Sequence, residues 1–150
     1  MTTDARTAPP VPLAAPYRGA DPRVAFARFW LKYLTFSGRA SRSEFWWWTL
    51  IGVVVTLAIG LVGLATNTAT LDLRDADEVL EVVGGGGLLS TVWALATLVP
   101  GLALLVRRLH DTDLAGWFAL VGLVPVVGPI ALLVLAARPP VDRGTRFDRR

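Results

Sequence analysis

Along the chain, charged side chains disappear for three long intervals and crowd into the stretches between them. No Asp, Glu, Lys, Arg or His occurs in residues 45–71, 82–106 or 114–137. Each interval is longer than the roughly 20 apolar residues that a helix needs to cross ~30 Å of hydrocarbon at ~1.5 Å per residue. The pattern predicts an all-α integral membrane protein with membrane segments at about 45–65, 88–106 and 114–137.

Local signals refine these elements. Asp21-Pro22 suits a helix start, because Asp caps free N–H groups and Pro has the φ of a first turn. Over residues 24–34, Arg28 and Lys32 share one narrow face, while Phe26, Phe29, Trp30, Leu31, Tyr33 and Leu34 fill the rest. This predicts a short N-terminal helix in the membrane interface, and a helix packed on the protein's own bundle needs the same pattern. A turn over residues 36–40, with Gly38 free to adopt positive φ, leads into a Ser41/Glu44 capping box. Trp46, Trp47 and Trp48 open the first span, where aromatic rings meet headgroups.

Gly52, Thr56 and Gly60 repeat along the first span, and Ser90, Ala94, Thr97 and Gly101 along the second. The two stripes are candidate helix-packing faces that could meet each other, and the Gly52/Thr56/Gly60 stripe is also a candidate homo-oligomer face. Pro100 should bend the second span without forbidding it, since neighbouring groups can satisfy the freed carbonyl. The third segment is broken by Pro125-Val126-Val127-Gly128-Pro129. It is either one kinked span or a hairpin whose arms are each too short to cross.

Charge orients the segments. With Arg28, Lys32, Arg39, Arg42, Arg107 and Arg108 on the cytoplasmic side, Arg74 is left outside, as the positive-inside rule expects, and the N-terminus is cytoplasmic. Arg138, Arg143, Arg146, Arg149 and Arg150 favour the same side for the C-terminus and therefore the hairpin. Residues 1–20, with Pro9, Pro10, Pro12 and Pro16, read as a disordered tail without the apolar core of a signal peptide. Residues 66–87 read as an acidic loop carrying Asp72, Asp75, Asp77, Glu78 and Glu81, with a short helix at 75–83. Residues 141–150 read as a basic tail.

Composition narrows the chemistry. At 53% hydrophobic and 18% charged, 150 residues are too apolar for an ordinary soluble domain. The absence of Cys removes disulfides and thiolate chemistry, and a single His falls short of a zinc site. The acidic loop lacks EF-hand spacing, and the glycines at 84–87 have no following Lys to make a phosphate-binding loop. No motif marks a nucleophile. The reading is therefore non-enzymatic, with no catalytic residue, cofactor or metal. Clustered Arg in so apolar a chain, at net charge +3, points to anionic lipid headgroups rather than nucleic acid.

Topology brings Arg39, Arg42 and Glu44 to the same leaflet as Arg107, Arg108, His110 and Asp111. Partly desolvated charges need partners, so Glu44 and Asp111 are expected to pair with Arg from the opposite segment. This cluster is the candidate interaction face for an anionic lipid or another membrane protein, with His110 placed to sense pH near neutrality. The alternative is a component of a small-solute or ion transport pathway, against which no charge lies inside a span.

Two blocks carry a resemblance. Phe36-Ser37-Gly38-Arg39-Ala40-Ser41-Arg42-Ser43-Glu44-Phe45-Trp46-Trp47, and Arg107-Arg108-Leu109-His110-Asp111-Thr112 followed by Gly116-Trp117, resemble the signature blocks of the bacterial family called domain of unknown function 805. The likeness runs from about Phe29 to Phe147 and includes a Pro-x-x-Gly break at Pro125 and Gly128. Asp113 stands where the family usually has Gly, Phe118 where a second Trp is common, and residues 144–148 only approximate the family ending. The resemblance implies a small integral protein of the bacterial cytoplasmic membrane, with no activity or catalytic residue attached.

Overall fold

The computed structural model describes residues 11–13, 15–67 and 87–148, among which there is no strand. The elements are α1 (Pro22–Leu31), α2 (Arg42–Asn67), α3 (Leu88–Asp111), a 3-10 segment η1 (Gly116–Leu123), α4 (Val127–Ala137) and a second 3-10 segment η2 (Asp142–Phe147). The short helix expected at 75–83 and nearly all of the acidic loop lie outside the described residues, as do residues 1–10.

The capping signals act as their chemistry requires. Asp21 Oδ1 accepts from the Val24 N–H at 2.8 Å, and Pro22 opens α1. At the start of α2, Glu44 N–H donates to Ser41 Oγ at 3.1 Å and Ser41 N–H to Glu44 Oε2 at 2.8 Å. These reciprocal bonds satisfy donors that an apolar helix cannot leave bare.

Helices α2 and α3 are long and apolar enough to cross a membrane over Arg42–Ala65 and Leu88–Asp111, and only 11% and 17% of their most apolar windows are buried. Leu57 and Leu61 of α2, and Leu95 and Leu98 of α3, face outward. A water-soluble protein would hide such a surface, whereas here apolar side chains face away from the bundle, as hydrocarbon solvent demands. The small core sits at the charged end, where Phe29 of α1, Ala40, Phe45 and Trp48 of α2, Leu104 of α3 and Ala136 of α4 meet. Phe29 stacks on Trp48.

Helix α1 packs on α2 with Arg28 and the C-capping Lys32 inward. Arg28 is 7% and Lys32 1% exposed, while Leu31 and Leu34 are 68% and 73% exposed. The cationic stripe therefore does not face headgroups. The Tyr33 hydroxyl donates to Ala96 O at 3.0 Å, about three helical turns along α3 from Arg107, so the end of α1 leans along the bundle.

The third apolar segment is a hairpin rather than one kinked span. η1 has 8 residues and α4 has 11, and neither could cross. The two arms pass so closely that a Cβ on Gly128 would lie 2.1 Å from Val121 O. The return carries the Ala136, Ala137 and Arg138 carbonyls back to the Arg42 and Arg108 guanidiniums at the end where the segment began. At the tip, Val126 adopts φ 64° and ψ −60°, and the Val127 N–H donates to Pro125 O at 2.7 Å. This is a γ-turn of the rare, strained hand, centred on a β-branched residue. Val126→Gly is expected to stabilise the protein by about 1 kcal/mol, raising the thermal midpoint in detergent. An unchanged or lower midpoint would show that the turn stores no strain.

Candidate functional site

The charged residues assemble into two buried nests. The first surrounds Glu44, which is 4% exposed. Arg28 Nε donates to Oε1, the Ser41 and Tyr17 N–H groups donate to Oε2 at 2.8 and 3.2 Å, and Lys32 Nζ lies 3.9 Å from Oε1. The remaining Arg28 donors reach the carbonyls of Val11, Pro12, Leu13 and Ala15. Ser41 Oγ donates to Tyr17 O at 2.7 Å, and Ala20 N–H to Ser43 Oγ at 3.0 Å. Where the sequence reads as a loose tail as far as Ala20, the segment from Val11 is thus strapped over the nest, because its backbone groups satisfy an otherwise buried guanidinium and carboxylate.

Glu44 also takes a different partner from the expected one. Its ion pair is with Arg28 of α1 rather than an Arg of α3, since the four-residue spacing of Arg28 and Lys32 points both at the first turn of α2. Arg107 donates from Nε to its own helix at Ala103 O, 3.0 Å away, and its carbonyl accepts from Ala40 N–H at 3.0 Å. Arg107 Nη2 and Lys32 Nζ are buried and make no hydrogen bond with the described residues. Burial holds the Lys32 ammonium down to about 8, with Glu44 opposing the shift and Arg28 and Arg107 adding to it.

The second nest surrounds Asp111. Arg108 Nη1 donates to Oδ2, and Arg39 Nη1 lies 3.6 Å from Oδ1. Arg108, 0% exposed, also donates to Ala136 O at 2.8 Å, to Ala40 O and to Arg138 O, so one guanidinium joins α3 to the 36–40 turn and to the end of α4. Arg39 forks onto Asp148 at 2.9 and 2.6 Å, and that hydrogen bond raises its pKa above the ordinary value. His110 Nδ1 lies 3.1 Å from Gly38 O, and its ring stacks on Phe147 at 4.1 Å. Gly144 passes so close to α3 that a Cβ would lie 2.5 Å from His110 O. The tail expected to be merely basic is thus a clip across the end of α3.

A family model described as protein of unknown function (DUF805) matches residues 33–149. The chain belongs to that family. Curated DUF805-like relatives include inner membrane protein YhaI of Escherichia coli K12, 41% identical over 115 residues, which are 77% of this chain and 84% of the relative. Inner membrane protein YhaH of the same strain is 32% identical over 117 residues, covering 77% and 85%. No solved structure matches. The chain is an integral protein of the bacterial inner membrane, like these relatives.

The two DUF805 blocks are the two sides of the nests. The first supplies Gly38, Arg39, Ser41 and Glu44, and the second supplies Arg108, His110 and Asp111. Gly38 has φ 81°, and its N–H donates to Phe147 O at 3.1 Å. Asp113, which replaces the usual family Gly, has φ 63°, a conformation glycine adopts without strain. Gly116 packs closely on α3, where a Cβ would lie 2.7 Å from Val106 Cγ1 and displace that side chain.

Of the seven residues expected to form an interaction face, Arg39, Glu44, Arg107, Arg108, His110 and Asp111 are buried, and Arg42 alone is exposed. The cluster is an internal clasp rather than an open face, because returning segments of the chain occupy its donors and acceptors. Arg28 and Lys32 belong to it, and their spacing was the available signal. Asp148 and Tyr17 also belong, and nothing in their local sequence announced it.

The small-residue stripes are placed differently. Gly60 is buried, Ala94 is exposed, and the Thr97 hydroxyl donates to Trp93 O at 2.8 Å. A Cβ on Gly52 or Gly101 would meet nothing within 4 Å. These two glycines and Thr56 line a groove of about 580 Å³ instead of a tight crossing.

Glu44→Gln should destabilise the protein by roughly 3–5 kcal/mol, because it leaves Arg28 and Lys32 buried without a counter-charge. A wild-type melting midpoint in the variant would show that the nest is dispensable. Lys32 gives a signed pH dependence. Its folded value of about 8 lies below the ordinary 10.5, so between these the unfolded chain carries a proton that the folded chain lacks. Stability from this group therefore rises with pH from about 8 to about 10.5, and the burial penalty is complete below 8. Lys32→Met should melt higher at neutral pH and flatten that rise, and an unaltered pH profile would contradict the assignment.

Proposed function

We propose that this DUF805 protein is a non-enzymatic, multi-pass membrane protein whose cytoplasmic end engages anionic lipid headgroups. Both termini lie on that side, with α2 and α3 as spans and η1–α4 as a hairpin that enters and leaves by the same leaflet. One observation carries the reading. The nests take in Glu44 and Asp111 and partly cover Asp148, so among the described residues the exposed charges of this end are Arg18, Arg23, Arg42, Arg138 and Arg143, with Arg146 ion-paired to Asp113 at 2.9 Å, against Asp21 and Asp142. Each basic residue held near an anionic leaflet contributes ~1 kcal/mol. Exposed Phe26, Phe36, Trp46 and Trp47 surround the same end at headgroup depth. The transport alternative is less well supported, because no charge lies within residues 45–65 or 88–106 and the Thr97 hydroxyl is turned back onto its own helix.

The chain has no Cys, so single cysteines can report sidedness. In sealed vesicles, an impermeant maleimide should label Arg143→Cys from the cytoplasmic side and Thr70→Cys from the opposite side. Phospholipid carried through mild detergent extraction should be enriched in phosphatidylglycerol over the parent membrane. The combined Arg18→Gln, Arg23→Gln, Arg143→Gln and Arg146→Gln variant should show a smaller enrichment than wild type. Labelling of Arg143→Cys from the periplasmic side, or equal enrichment in variant and wild type, would overturn the proposal.

A further inference from the structure

The groove between α2, α3 and α4 lies just below the charged layer and is lined mainly by apolar side chains, with Thr49 and Thr56 among them. Phe45, Gly52, Gly101, Leu104, Leu132 and Leu133 define its walls. Its size, about 580 Å³, falls in the range of built ligand sites. Val53, Leu57 and Leu133 on its rim are exposed, so it opens sideways toward the membrane. The glycines make the space, because Cβ atoms at 52 and 101 would find no neighbour within 4 Å.

Arg42 stands over the cytoplasmic end of this groove. Residues 42, 45, 49, 52 and 56 follow one another along a single face of α2 at three- and four-residue steps. The Arg42 Nε and Nη2 donate to the Arg138 and Ala137 carbonyls at the end of α4, about one helical turn beyond the lining residues Phe45 and Leu133. Its Nη1 has no partner among the described residues, and the side chain is exposed. A mainly apolar slot beneath a guanidinium matches an acyl chain beneath a phosphate. A second copy of this chain fits less well, because a two-fold axis along the membrane normal would bring another Arg42 to the same depth, against like charge.

We propose that the groove holds one acyl chain of an anionic phospholipid whose phosphate is bound by Arg42. This rests on the anionic-lipid reading above and gives it a specific site. The test uses the full-length protein in mild detergent, offered equal phosphatidylglycerol and phosphatidylethanolamine and followed by native mass spectrometry. Wild type should carry a phosphatidylglycerol adduct. Gly52→Leu with Gly101→Leu, whose Cβ atoms would find nothing within 4 Å and whose side chains would occupy the groove, should lose adducts of both lipids. Arg42→Gln should keep binding but lose about tenfold in preference for phosphatidylglycerol.

An unchanged adduct in a filled variant that melts like wild type overturns the groove assignment. So does a wild-type dimer that the filled variant converts to monomer. Should the filled variant not fold, an Arg42→Gln protein with undiminished preference overturns the assignment alone. Wild type showing no preference between the two lipids would remove the anionic-lipid reading itself.

Discussion

An ionised group beside hydrocarbon has no water to satisfy it, and each partner it needs must come from the same chain. That constraint organises the polar end of this protein. Arg108 is fully buried, and its donors are met by Asp111 and by the carbonyls of Ala40, Ala136 and Arg138, which belong to separate parts of the sequence. Together with Arg42, which takes the Ala137 and Arg138 carbonyls, that guanidinium fixes where the α4 hairpin ends. Glu44 plays the corresponding part for α1 and the N-terminal strap. The two nests form a clasp across the ends of elements that elsewhere share few buried side chains.

The clasp explains a distribution opposite to that of a soluble protein. Charged groups are inside at one end, while leucines and valines cover the outside of α2 and α3. Between helices in lipid there is little hydrophobic gain to be had from apolar contact, so hydrogen-bonded polar groups and close backbone passes set the geometry. Gly128 under Val121, Gly116 against Val106 and Gly144 against His110 are such passes. Gly52 and Gly101 are of another kind, since a Cβ on either would meet no protein atom within 4 Å and both line the groove.

Burying so many acceptors also gives the polar end its external character. The carboxylates of Glu44 and Asp111 are turned inward to meet Arg28, Arg39 and Arg108, so the guanidiniums left at the surface are mostly unopposed. Internal satisfaction and external positive charge are thus two sides of one arrangement. The lipid-facing chemistry proposed for Arg42 and its neighbours follows from which partners the interior has already taken.

The linear pattern of charge-free intervals was enough to determine the all-helical membrane architecture, because span length and hydropathy are local properties set by the bilayer. The Ser41/Glu44 box and the Asp21-Pro22 start were legible for the same reason, as their bonds join residues three apart. Membership of the charged cluster was legible in outline, since topology alone puts Arg39 and Asp111 at one level. The partners were not. That Glu44 would choose Arg28 over Arg107, that Asp148 would grip Arg39 across 109 positions, and that residues 11–13 and 15–20 would strap the nest were decided by how the segments pack in three dimensions. A charge in the sequence declares a need for satisfaction, and only the folded chain shows which of several acceptable groups arrives within hydrogen-bond distance.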